Sequence, residues 1–165
     1  MDKILKMVYG DKTINADGCK LLAFGEHNGI SYAVINHSGA YPCAYVEVTG
    51  TKYDESKEFN ELESDKRLNY WTANREKRNA AYSSGMSDVV HGGLTYSGNQ
   101  FYGVYEPTAD EKTTRWFVGW DYCHCGDNIE FPHIECKCVG KKWTTEEIIE
   151  ECKACIKALK RECLQ

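Results

Sequence analysis

The sequence has no run approaching the roughly eighteen apolar residues that a membrane-spanning helix needs. Its start, MDKILKMVYGDKTI, has no sustained apolar stretch of secretory length. These absences lead to the expectation of a cytoplasmic protein with no membrane contact. Positive excess is missing too. Lysine and arginine number 20 against 25 aspartates and glutamates, for a net charge of −5. That balance argues against the broad basic surface that grips phosphates, so direct nucleic-acid binding is not expected and a basic protein partner is. No long low-complexity tract interrupts a composition of 27% charged and 42% hydrophobic residues, which is that of a folded chain. Neither a phosphate-binding glycine loop nor a nucleophile elbow is present.

Cysteine is plentiful. There are nine, an odd number, and in a reducing cytosol such thiols stay free, pack as small hydrophobes or bind metal. A length of 165 residues is about one domain's worth, so residues 1–165 are expected to form a single domain.

Sheet signals come first along the chain. CKLLAF (19–24) and ISYAVINH (30–37) flank the turn-like GEHNG and predict an antiparallel hairpin, and AYPCAYVEV (40–48) predicts a third strand. Residues 51–82 are densely charged and hold no single period, which predicts an insertion made of a loop and an irregular or helical excursion. Its charges suit a solvated face or a recognition element. NQFYGVYE (99–106) and RWFVGWDY (115–122) predict two more strands, paired with each other. Near the end, Thr144 and Glu147 have the spacing of a capping box, and Ile148, Ile149, Cys152, Ile156, Leu159 and Cys163 follow at helical spacing. The expected fold is α+β, a mostly antiparallel sheet covered on one face by a C-terminal amphipathic helix.

The chemistry concentrates in DYCHCGDNIEFPHIECKC, which holds Asp121, Cys123, His124, Cys125, Asp127, His133, Cys136 and Cys138. Thiolate and imidazole suit zinc, which takes four ligands at tetrahedral geometry in structural sites. Cys-x-Cys is tighter than the usual knuckle, although on a strand it puts both thiols on one face, and two paired strands could offer Cys123, Cys125, Cys136 and Cys138 to one ion. A second grouping uses Asp121, His124 and Asp127 with His91 of HGGLTYSG. Such a nitrogen and oxygen set leaves an open position that could activate water. Without metal, Asp121 could orient His124 as a general base beside His91. Plainer roles suit the same residues: His91 as a structural histidine, its glycines as a turn, Asp127 after Gly126 as a turn residue. Cys152 and Cys155 could join a sulfur site with Cys136 and Cys138, but they lie on the apolar stripe of the closing helix, where packing explains them.

Taken in order, PCAYVEV, HGGLTYSG, FVGWDYCHCGD and the helix EEIIEECKACIKAL resemble a group of small bacteriophage-encoded proteins with a CAYV, HGGLTY, GFDxxHxGD pattern. The resemblance runs from Cys43 to the closing helix, with a break at residues 51–82. It falls on Cys43, His91, Gly92, Gly93, Asp121, His124, Gly126 and Asp127, and leaves out Cys123, Cys125, Cys136 and Cys138. It implies a phage origin and a host bacterial cytosol. With the acidic charge, that leads to the expectation of a zinc-containing anti-defence protein that binds a basic surface of a host defence protein, a CRISPR effector nuclease among the candidates. Some anti-CRISPR proteins are similar in size and charge. The competing expectation is a metal-dependent hydrolase built on His91, Asp121, His124 and Asp127.

Overall fold

A two-residue turn sets the register of the sheet. Asn28 and Gly29 both take positive φ, 53° and 77°, the pairing of a type I′ turn, whose twist matches the strands it joins. The turn expected over GEHNG is therefore narrower, and Gly25, Glu26 and His27 continue the first strand. A computed structural model gives this architecture for residues 19–63, 67, 75–100, 112, 114–131 and 137–163. Strand β1 (Lys20–His27) pairs antiparallel with β2 (Ile30–His37), which pairs with β3 (Tyr41–Glu47). At the Gly25↔Tyr32 pair a Cβ on Gly25 would stand 2.5 Å from the tyrosine hydroxyl, so a larger residue would need that ring to move aside.

Among the described residues of 51–82 lie the helices α1 (Ser56–Glu61) and α2 (Arg75–Tyr82). The first is anchored: Phe59 is buried and packs 5.7 Å from the Trp116 ring. After a 3₁₀ turn at Ser87–Val89 the chain forms β4 (Tyr96–Gly98) and then β5 (Phe117–Asp121). The two pair antiparallel, and β5 also pairs with β3, giving the order β1-β2-β3-β5-β4. The strand expected at 99–106 lies outside the described residues from 101 onward. A small antiparallel pair, β6 (Ile129–Glu130) and β7 (Lys137–Cys138), follows β5.

The closing helix α3 (Thr145–Cys163) begins with the expected capping box. Thr144 N–H donates to Glu147 Oε2 at 2.9 Å, and Glu147 N–H donates to Thr144 Oγ1 at 3.2 Å. Its stripe of Ile148, Cys152, Cys155, Ile156 and Leu159 is buried with Val34, Ala44, Val46, Val118 and Trp120 of the sheet. This is the α+β fold the sequence predicts. Strand periodicity sends the alternate residues Ala33, Ile35, Cys43, Tyr45 and Phe117 to the other face, where they form a second, smaller cluster. Among the described residues no helix is long and apolar enough to cross a membrane.

Candidate metal centre

Strand β5 stops at Asp121, and DYCHCGD is for the most part a turn and not a strand. Asp127 N–H donates back to His124 O at 3.0 Å, and Gly126 takes φ 99°, a conformation only glycine adopts freely. Lys141 N–H then donates to Gly126 O at 2.7 Å, and Asn128 N–H to Lys141 O at 3.0 Å, so the turn is stitched to the segment that leads into α3. Cys123 and Cys125 thus do not share a strand face. Cys123 is partly buried and Cys125 is exposed.

The turn carries Asp127 into the protein, where it is 2% exposed. Three donors converge on its carboxylate. His124 N–H donates to Oδ2 at 2.9 Å, the Trp143 indole N–H donates to Oδ1 at 2.9 Å, and His91 Nε2 lies 2.9 Å from Oδ2. Burial alone would raise this carboxyl; the His124 N–H, the Trp143 indole and the His91 ring outweigh it and hold it below the ordinary value of 3.8.

His91 reaches the carboxylate because its backbone is tied down. Its N–H donates to Glu151 Oε2 on α3 at 3.0 Å, and its ring stacks on Tyr122 with centroids 5.2 Å apart and planes 4° apart. The Tyr122 hydroxyl donates to the same Glu151 oxygen at 2.7 Å. Burial, followed by the Glu151 bond, pushes that phenol far up, so it stays neutral as a donor. Gly92, at φ 68°, leaves room for the second histidine: a Cβ there would stand 2.4 Å from the His124 ring. The glycines of HGGLTY are thus needed for both conformation and close approach.

His91, His124 and Asp127 offer two ring nitrogens and a carboxylate oxygen that all lie within 4.8 Å of one another, a group that could hold a metal ion. His124 Nδ1 is 3.6 Å from Asp127 Oδ2 and is buried without a hydrogen-bond partner among the described residues. Ligand atoms about 2.0–2.2 Å from a tetrahedral ion stand about 3.3 to 3.6 Å apart; the His124 Nδ1 pair at 3.6 Å fits that spacing, and the His91 Nε2 pair at 2.9 Å is at hydrogen-bond length and would open on binding. The surroundings match an outer shell: Asp127 receives two further N–H groups, and Asp121 Oδ1 faces the other ring nitrogen of His124 at 4.0 Å. The side chains of His91 and His124 are 25% and 33% exposed, so one side of the group opens toward solvent.

The structure therefore draws together three of the residues singled out in the sequence. Asp121 stands at the rim, held by Thr95 Oγ1 at 3.1 Å and by Cys123 N–H at 3.1 Å. Cys123, Cys125 and the exposed Cys138 do not join the group, and Cys136 lies outside the described residues. Burial, then the charges of Asp121, Asp127 and Cys138, push the Cys123 thiol up; burial, then Asp121, do the same to Cys43, and both stay protonated at neutral pH. Cys152 and Cys155 are fully buried core residues, as their place on the stripe predicts. Sequence reasoning missed Trp143, Tyr122 and Glu151. Only Glu151 left a signal, an acid placed beside the apolar stripe of α3. No family model, curated protein or solved structure matches this chain.

Proposed function

We propose that the chain is a zinc-binding anti-defence protein of bacteriophage origin that inhibits a host immune protein by direct binding, with the ion held by His91 Nε2, His124 Nδ1 and Asp127 Oδ2. The observation that carries the metal assignment is the buried, unpartnered Nδ1 of His124 facing the Asp127 carboxylate, since a buried ring nitrogen without a partner is costly unless something ligates it. An ion there would tie the HGG turn to the loop after β5 and, through Trp143, to the start of α3. That is a role in holding a binding surface in shape. The acidic balance of −5 and the phage resemblance support a basic host protein as target, a CRISPR effector nuclease among the candidates.

Elemental mass spectrometry on untagged protein tests the site. We expect stoichiometric zinc in the parent chain and in a Cys136→Ser/Cys138→Ser variant, and none in His91→Ala or His124→Ala. Zinc lost only with the cysteines would move the site to the thiols and overturn the assignment.

One observation favours a second reading, a metal-dependent hydrolase. Two histidines and one carboxylate leave a fourth position open on the solvent side, which is the ligand pattern of catalytic zinc. In that case His124→Ala would abolish turnover of an ester or phosphodiester by the zinc-loaded protein. Absence of any turnover in the parent chain, with target inhibition intact, favours the inhibitor.

A further inference from the structure

On the sheet face away from α3 a cavity of about 250 Å³ is lined by His37, Tyr41, Tyr45, Tyr96, Thr95 and Asp121, with Cys43 and Trp120. It does not include His91, His124 or Asp127. Its walls are aromatic. Tyr45 and Tyr96 meet edge to face with centroids 5.3 Å apart and planes at 83°, and His37 stacks on Tyr41 at 5.2 Å. Its charged group is Asp121, at the end of β5 and directly across from Cys43 of β3.

Two hydrogen bonds aim this carboxylate. Thr95 Oγ1 donates to Oδ2 and Cys123 N–H donates to Oδ1, both at 3.1 Å. Each oxygen keeps a lone pair for a further donor. Among the described residues no lysine or arginine pairs with Asp121; His124 stands 4.0 Å from it and His37 lines the same cavity. A carboxylate oriented in advance at the end of an aromatic slot has its charge complement in an organic cation.

Planarity selects which cation. A guanidinium is flat and weakly hydrated, stacks on ring faces, and presents a fork of N–H donors to a carboxylate, whereas an ammonium is compact and strongly hydrated. We propose that this cavity is a binding site for an alkylguanidinium, the arginine side-chain group, lying against its aromatic wall with its donors on Asp121. The cavity shares Asp121 with the rim of the metal group but none of its three ligand residues, and either a free arginine-like molecule or an arginine on a partner protein could supply the ligand.

The test is a titration of the full chain, isotope-labelled and followed by amide chemical shifts, with N-acetylarginine amide, its neutral citrulline counterpart, and a short peptide carrying one arginine. We expect millimolar-range saturation by the arginine compound, as suits a fragment of this size, with shifts centred on Cys43, Thr95, Tyr96 and Asp121. Citrulline amide should bind at least about tenfold more weakly, as should arginine amide to Asp121→Asn, whose amide oxygen still accepts the Cys123 N–H and whose NH2 donates to the Thr95 hydroxyl in place of accepting from it. Tighter binding of the peptide would identify a partner protein as the source, and equal binding a free molecule. Equal affinity for arginine and citrulline amides in the parent chain, or shifts elsewhere, overturns the proposal whether or not the variant folds.

Discussion

At the residue scale the molecule turns on Asp127, a buried carboxylate that receives N–H groups from three segments. Replacing it with alanine orphans those donors, and we expect a loss of about 3 kcal/mol, or roughly 8 °C in Tm, measurable by calorimetry. The pH dependence has a definite sign. Its pKa is lowered in the folded state, so its contribution is complete above the ordinary value of 3.8 and is lost as pH falls through the folded value. With chelator present, the stability gap between the parent chain and Asp127→Asn should therefore be widest near neutral pH and shrink below about pH 4. A gap that grows on acidification would contradict this account. Gly92→Ala probes the site without touching a ligand atom: the new methyl would meet the His124 ring at 2.4 Å, so we expect zinc to be lost while the circular dichroism spectrum stays folded.

At the element scale, the closing helix was the most legible part of the sequence, because capping box and apolar stripe are both local patterns. Thr144→Ala should cost about 1 kcal/mol in chemical denaturation, with little change in the slope. The hairpin was legible as a hairpin but not in its turn. GEHNG looks like five turn residues, yet only Asn28 and Gly29 of it carry positive φ, and Gly25, Glu26 and His27 stay in the strand, paired with Tyr32, Ser31 and Ile30. Gly29→Ala places a side chain at φ 77° and should destabilise by about 1 kcal/mol or more. DYCHCGD misled for a related reason. A strand would have put both thiols on one face, but the segment follows the plainer reading of a turn at Gly126 and Asp127, and the bonds to Lys141 that hold it are not visible without the partner segment.

At the scale of the whole molecule, the charged insertion proves partly structural. Glu55 is 3% exposed, and Asp54 accepts from Gly50 N–H at 2.7 Å and Ser56 N–H at 2.8 Å, so neither is free to serve a partner. Glu61 is exposed. On the proposed inhibitor reading, reversing it to lysine should weaken inhibition of a basic target, chiefly through slower association at low salt, while Tm moves by less than about 2 °C. Unchanged inhibition kinetics would place the contact elsewhere. The class of fold, the capped helix with its buried Cys152 and Cys155, and the candidacy of His91, His124 and Asp127 could be read along the chain, because periodicity, capping and composition are local properties. That these three meet while Cys123, Cys125 and Cys138 do not join them, with Tyr122, Trp143 and Glu151 holding them in place, came from the folded arrangement. The two bonds that fix His91 in the site span 36 and 60 positions, and no local pattern records which distant partners a turn will face.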